Sequence, residues 1–482
     1  MFWRGVIGYL PVNVAQGIVG LLAIVTFTRL LTPEQYGAYA LGFSAMSLCH
    51  TLCFTWMEAA MARFYAAEAQ GGHLPDHFAT LYRSWAITAV AFPALAALAL
   101  WVWPASPPVK WAMAAGLASI LVRSLAKLAQ ERRRAAGDVS GAAKLDIAQT
   151  LGGFAVGAAL IFAGWGGAAP VAGLGVIAAV CLVFVLPTEI KGLKGGKFEI
   201  NRARAYAAYG LPVSASLILA LALATTDRFL LGAYLNDAAV GVYHAGYSLA
   251  NRTLDVLFIW LGMAGGPAMI MALERGGGPA LEEAALEQGS VMVALTLPAA
   301  VGLALVARPL ADVMVGPALR EGAAQVTPWI AASAFFAGST TYYLHQAFTL
   351  ARRTPLLLAA MAIPAAANVI LNLILIPRFG LNGALWATAA SYALGAAASF
   401  ALGRVALTLP FPASALARAG VATVAMALAV SWVPAYGGVV ELMLKAGVGI
   451  LVYGALAAAF DVGGLRGKGL RALAVMRPRL AA

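Results

Sequence analysis

The sequence predicts an all-α integral membrane protein of about fourteen transmembrane helices: two six-helix bundles in a pseudo-twofold arrangement plus two C-terminal helices. Three observations carry that prediction. Of the 482 residues, 62% are hydrophobic and only 11% are charged, with a mean hydropathy of +0.84. A soluble domain carries about 25% charged residues, so this chain is too poor in charge to cover a water-facing surface. Apolar windows of about 20 residues, each long enough to span hydrocarbon as a helix, recur from end to end. Finally, Lys and Arg alternate in density from one connection to the next.

Taken in order, the first six windows fall at about 7–28, 37–57, 82–102, 109–129, 144–165 and 169–188. The next six fall at about 208–230, 238–270, 287–307, 324–349, 355–376 and 381–403, and two more at about 412–433 and 438–460. The eighth is interrupted by Gly262, Gly265, Gly266 and Pro267 and reads as a bent span or a span plus an interfacial piece. Twelve spans is the competing count. The first window follows Arg4, is much longer than a signal-peptide core and lacks a clean cleavage site, so it reads as a span. The corresponding organisation is a bundle at about 1–190, a linker at 191–207, a second bundle at 208–404, two added helices at 405–461 and a basic tail at 462–482.

One set of connections holds Lys127, Arg132, Arg133, Arg134 and Lys144, then Lys191, Lys194, Lys197, Arg202 and Arg204, then Arg275, Arg352, Arg353 and Arg404. The tail adds Arg466, Lys468, Arg471, Arg477 and Arg479. The opposite set holds Arg29, Lys110, Arg308, Arg320 and Arg378. The positive-inside rule places both termini in the cytoplasm. The net charge of +12 is then explained by short cytoplasmic loops meeting anionic lipid, not by nucleic acid. Cys49, Cys53 and Cys181 lie in apolar runs and suggest neither a disulfide framework nor a metal cluster. No phosphate-binding loop, dinucleotide fingerprint or nucleophile elbow is present, so no enzyme activity and no cofactor are expected.

Charge at membrane depth is expensive and marks function or a structural pair. Arg123 and Lys127 are four apart on the fourth window, and Asp227 and Arg228 end the seventh. Arg252 and Asp255 lie three apart within the eighth, Glu58 and Arg63 close the second, and Asp146 is near the start of the fifth. His244 and His345 read as packing groups. The expected headgroup contacts are Arg29, Arg123, Arg252, Arg228 and Lys127, because guanidinium grips a diphosphate with paired hydrogen bonds. Asp227, Asp255 and Glu58 are the expected structural or coupling carboxylates. Arg252 and Asp255 also fit a purely structural ion pair, and Arg63 and Lys127 fit snorkelling to headgroups.

Three segments carry a family resemblance: Thr28 through Tyr39 (TRLLTPEQYGAY); Thr226 through Gly232 with Val240-Gly241-Val242-Tyr243; and Asn368 through Asn372 followed by Leu375-Ile376-Pro377-Arg378-Phe379-Gly380. In the first two, an Arg near a span end precedes a turn and a Gly-x-Tyr opening the next span, as a parallel repeat would require. The chain resembles the polysaccharide biosynthesis and O-antigen flippases of the multidrug, oligosaccharidyl-lipid and polysaccharide exporter superfamily. That resemblance implies a V-shaped pair of bundles around a central cavity. It also implies alternating-access movement of an undecaprenyl-diphosphate-linked glycan to the outer leaflet of a bacterial inner membrane. Membrane lipids, a polysaccharide polymerase and glycosyltransferases are the implied partners. A Na+ or H+ coupling ion, membrane potential or product removal is the implied driving force. A peptidoglycan-precursor flippase and a non-transporting scaffold of a glycan synthase complex are the alternatives.

Overall fold

The computed structural model describes residues 2–464 and 466, with side chains from residue 12 onward. The tail cations Lys468, Arg471, Arg477 and Arg479, and the Arg4 side chain, lie outside what is described. Among the described residues there are helices and turns but no strand.

Helix α1 spans Phe2–Leu30 and α2 spans Pro33–Cys53. A capping box starts α2: the Gln35 amide N–H donates to Thr32 Oγ1, and the Thr32 N–H donates to Gln35 Oε1. Pro33 sits in the first turn, where its missing N–H costs nothing. Non-helical Phe54 breaks the rod, and α3 (Thr55–Gln70) leaves at 47°. Helices α4 (Leu74–Val102), α5 (Pro107–Ala135), α6 (Val139–Phe162), α7 (Ala169–Gly192) and α8 (Ile200–Tyr234) follow.

Helix α9 runs from Asp237 to Leu305, with Gly277 at φ 66° as the single non-helical residue inside it. It passes Gly262, Gly265, Gly266 and Pro267 as helix, so the expected interruption lies further on, in the Gly276-Gly277-Gly278 run. The remaining helices are α10 (Ala307–Met314), α11 (Pro317–Ser339), α12 (Gln346–Leu350), α13 (Thr354–Phe379), α14 (Leu381–Ala406), α15 (Ala413–Ser431) and α16 (Gly438–Ala459). A π-helical stretch, Thr340–Leu344, joins α11 to α12.

Among the described residues, 11 helices are long and apolar enough to cross a membrane, or 12 with bent α2–α3 counted as one span. This differs from the expected fourteen for two physical reasons. Helix α9 covers two windows without a loop between them. Helix α11 carries Arg320, Glu321 and Gln325 in its first turns and is not among those candidate spans.

The chain forms two compact units, Met1–His244 and Ala245–Ala482. In the first, α5 packs against α2, α3, α4, α6 and α7, while α8 packs against α2, α3 and α4. Gly42 and Gly116 let α2 and α5 touch closely: a Cβ on Gly116 would lie 2.9 Å from the Gly42 carbonyl oxygen. The core there is built from Phe54, Met57, Met61, Leu81, Ile120, Leu128 and Tyr206. In the second unit α14 packs against α11 and α13, and α15 against α16. Ala294, Ala419, Ala457 and Val462 join α9, α15 and α16 there. Large apolar side chains such as Val90, Trp101, Phe184, Ile450 and Leu451 remain exposed, as a lipid-facing surface requires.

The starts of α2 and α9 cross within the first unit. A Cβ on Gly37 would collide with the Asp237 carbonyl oxygen and lie 3.0 Å from the Gly241 nitrogen. Reciprocally, a Cβ on Gly241 would collide with the Pro33 carbonyl oxygen and lie 3.1 Å from the Gly37 nitrogen. Pro33 precedes Gly37 by four residues, as Asp237 precedes Gly241, so each helix offers the other the same pair of backbone groups.

Candidate functional site

The first unit holds a polar network contributed by α1, α5 and α6, and a separate carboxylate–imidazole pair on α2 and α3. Asp146 on α6 is 8% exposed and is the acceptor at its centre. Gln16 Nε2 on α1 donates to Asp146 Oδ1 at 3.1 Å, and Gln130 Nε2 on α5 donates to Oδ2 at 2.8 Å. Arg134 donates to the same Oδ2 at 3.2 Å and to Glu131 Oε1 at 2.7 Å. Lys127 Nζ donates to Gln130 Oε1 at 3.3 Å. A second carboxylate, Glu58 on α3, pairs with His50 Nε2 on α2 at 2.8 Å, across the break at Phe54.

Arg123 lies on α5 one turn before Lys127, the i, i+4 spacing of one helix face. It is half-buried and feels Glu58, Tyr39 and Asp146 electrostatically. Even so, it makes no hydrogen bond or ion pair among the described residues. The two carboxylates within its field are engaged by other donors. Chemically, this is a guanidinium with its forked donors unspent near carboxylates that each already have a partner.

The other expected residues are placed differently. Arg29 is exposed at the end of α1 and donates to the Val25 carbonyl at 2.8 Å. Arg228 is buried, 5% exposed, and donates to Ser44 Oγ at 3.3 Å. Beside it Asp227, fully buried, accepts from the Tyr243 hydroxyl and from the Arg228 backbone N–H. Those contacts tie α8 to α2 and to the first turns of α9. Arg252 is exposed on α9 and forms no ion pair with Asp255, whose carboxylate instead accepts from Asn251 Nδ2 at 2.5 Å. Thus Lys127 joins the Asp146 network, Glu58 pairs with His50, Arg123 lies in the field of both carboxylates, and Asp227 and Arg228 form another contact set.

Sequence reasoning did not single out Gln16, His50, Gln130, Glu131 or Arg134 as site residues. An isolated Gln within the apolar run of α1 was the available signal. Two further clusters hold the helix ends. Glu189 pairs with Arg132 at 2.6 Å and accepts from the Tyr82 hydroxyl at 2.6 Å. Glu68 pairs with Arg202 and accepts from the Tyr206 hydroxyl at 3.1 Å, while buried His77 meets that hydroxyl at 2.5 Å. The turn before α8 is pinned as well: the Lys197 N–H donates to Asp76 Oδ1 at 2.8 Å.

A cavity of about 310 Å³ lies among α9, α15 and α16, lined almost wholly by apolar groups, with Lys445 at its wall held by Glu441 at 2.6 Å. Such walls give a charged headgroup nothing to bind. Among the described residues, no group of three or more His, Cys, Asp or Glu side chains could hold a metal ion.

The fold is similar to that of the lipid II flippase MurJ in an inward closed conformation, with a TM-score of 0.74, 14% identity, and coverage of 94% of this chain and 98% of that one. It is also similar to an inward-facing multidrug resistance MATE transporter of the MOP superfamily, at a TM-score of 0.66 and 15% identity, covering 83% and 97%. A Vibrio cholerae MATE transporter follows at 0.56 and 14% identity, covering 83% and 96%. No curated protein sequence matches. The model of a family described as polysaccharide biosynthesis protein matches residues 26–321. With more than half of its length so matched and a transporter fold throughout, the chain belongs to the polysaccharide biosynthesis protein family.

Proposed function

We propose that this multi-pass membrane protein flips a polyprenyl-diphosphate-linked oligosaccharide from the cytoplasmic to the periplasmic leaflet of a bacterial inner membrane. Family membership and the flippase and transporter folds support transport over catalysis. The physical task is to give a sugar diphosphate a polar path while the prenyl tail stays in lipid, since a bare headgroup pays many kcal/mol to enter hydrocarbon. No bond breaks. Alternating access of two six-helix bundles, with α15 and α16 added, is the proposed movement. Both termini are proposed to be cytoplasmic. Fourteen spans result if the two arms of α9 each cross once and α11 continues through the π-helical stretch into α12 as one crossing.

One observation carries the reading at the level of residues: Arg123 is a half-buried cation with no hydrogen bond or ion pair of its own. It is the proposed diphosphate contact, with Lys127 next to it as the entry residue. Arg252, exposed on α9, is proposed as a contact of the second unit, with Asp255 setting its local field. Arg29 remains a proposed contact at the end of α1. Arg228 and Asp227 are better assigned to holding α8 and α9 in place. The fold likeness to MurJ makes a lipid-linked peptidoglycan precursor the competing cargo.

The test is a flipping assay in proteoliposomes with defined undecaprenyl-diphosphate glycans, lipid II among them. A charge-assisted hydrogen bond contributes about 1.5–3 kcal/mol, so Arg123→Ala should slow flipping about 10- to 100-fold at unchanged folded yield. Arg123→Lys should fall between, because Lys is a point charge without the fork. Wild-type flipping in Arg123→Ala would remove Arg123 from the path. Lipid II flipped faster than any oligosaccharide would replace the cargo.

A further inference from the structure

We propose that a polar cleft in the second unit is the docking site of the chain's own basic tail, residues 465–482. The juxtaposition follows from connectivity and charge and does not depend on which cargo is moved.

The cleft has a volume of about 600 Å³ and lies between the second arm of α9, the start of α15 and the turn that follows α16. Its ionisable lining is three carboxylates, Glu283, Glu287 and Asp461, against the guanidinium of Arg418. Arg418 is turned to the Phe460 carbonyl, to which it donates at 3.2 Å. Leu286 adds apolar wall, against which the stems of Lys and Arg side chains can lie. The acid is concentrated by the sequence: residues 274–287 hold Glu274, Glu282, Glu283 and Glu287, with Arg275 as the one cation. Such a lining repels an anionic lipid headgroup. Nor do the carboxylates converge on a point, since among the described residues no group of three or more His, Cys, Asp or Glu side chains could hold a metal ion. Carboxylates spread along a cleft fit cations spread along a chain.

The chain supplies those cations at this place. Residues 465–482 carry Arg466, Lys468, Arg471, Arg477 and Arg479 and no Asp or Glu. They start at the cleft wall, because Gly464 is part of the lining. Packing fixes the point of departure. Val462 is fully buried with Ala294, Ala419 and Ala457, and a Cβ on Gly463 would lie 3.1 Å from the Ser290 carbonyl oxygen. Asp461 (φ 47°), Gly463 (φ 65°) and Gly464 (φ 68°) turn the chain there. The Arg466 N–H then donates back to Asp461 Oδ1 at 3.0 Å, tying the backbone of the tail's first cation to a cleft carboxylate. Lys468 and Arg471 follow Gly464 by four and seven residues. Extended chain covers up to about 3.5 Å per residue, so both can return to the cleft. A tether this short gives an effective concentration in the millimolar range, which turns individually weak surface pairs into a standing contact.

Lys468 is the one lysine of the tail, so a lysine-specific endoproteinase reads its exposure. Full-length protein in a neutral detergent is digested, and release of residues 469–482 is followed by intact mass. Cleavage after exposed Lys194 is the internal standard. Glu283→Gln with Glu287→Gln should speed cleavage after Lys468 at least fivefold and leave Lys194 unchanged; both glutamates are exposed, so the core is not disturbed. High salt should speed the wild type and hardly move that variant, because screening removes the same attraction. The decisive set is a charge swap, in which arginine adds no cleavage site. Glu283→Arg with Glu287→Arg, and Arg466→Glu with Arg471→Glu, should each release Lys468, and all four replacements together should return it to within about twofold of wild type. Wild type cleaved as fast as the Gln variant overturns the proposal, as does a fourfold variant without recovery. Protection that appears only with added phosphatidylglycerol vesicles, equally in wild type and Gln variant, also overturns it and assigns the tail to the lipid surface.

Discussion

Removing Glu189 should destabilise the first unit more than removing almost any surface charge. Its carboxylate, 2% exposed on α7, takes the Arg132 guanidinium of α5 at 2.6 Å and the Tyr82 hydroxyl of α4 at 2.6 Å. Arg132 is also held over the Phe78 ring, 5.3 Å from its centre. In Glu189→Ala the guanidinium, with its side chain 18% exposed, loses its counter-ion where little water can replace it. Breaking such a buried pair costs about 3–5 kcal/mol. For a unit the size of Met1–His244, about 2–4 °C of melting temperature accompanies each kcal/mol, so the shift should be about 6–20 °C. Thermal unfolding of the detergent-purified variant, followed by intrinsic fluorescence, reads it directly. The triple variant Tyr82→Phe, Arg132→Met, Glu189→Leu removes every partner at once and should recover most of the loss. A shift under 2 °C in Glu189→Ala would refute the reasoning, as would a triple variant no more stable than the single one.

Three further outcomes are expected. Gly37→Leu and Gly241→Leu should each cost at least about 1–3 kcal/mol, because backbone stands where the new Cβ must go. Gly17→Ala, with nothing within 4 Å of the added carbon, should be neutral or stabilising in the same unfolding assay. Cysteines placed at 193–196 should be labelled only from the cytoplasmic side and those at 104–106 only from the opposite side; labelling of 193–196 from outside would invert the proposed topology.

The apolar helices were legible because hydropathy and helix length are local properties. Limits of that legibility show at α4, expected from about residue 82 and observed from Leu74. Its first turns carry Asp76, His77 and Arg83, which a hydropathy window rejects, yet Asp76 accepts from the Lys197 N–H and His77 Nδ1 meets the Tyr206 hydroxyl. Those partners are more than a hundred residues away in the chain. The same holds at the candidate site. Arg123 and Lys127 stood out as cations inside an apolar run, whereas Asp146 gains its partner Gln16 from 130 residues upstream. His50 gave no signal, because its partner lies eight residues on and comes within reach only through the bend. Conversely, Arg228 and Arg123 looked alike in sequence, and only packing separates a buried guanidinium on Ser44 from one with its donors unspent.

The crossing of α2 and α9 at Gly37 and Gly241 bears on leakage. A transporter must not short-circuit the ion gradients of its membrane while idle. Most seams between helices are sealed by side chains, which hop between rotamers in pico- to nanoseconds and open fleeting gaps. At this crossing main chain lies against main chain, so there is no rotamer to hop. Water or an ion can pass there only if both helices part as rigid rods. A tight seal at rest and a concerted opening are thus consequences of the same two missing side chains.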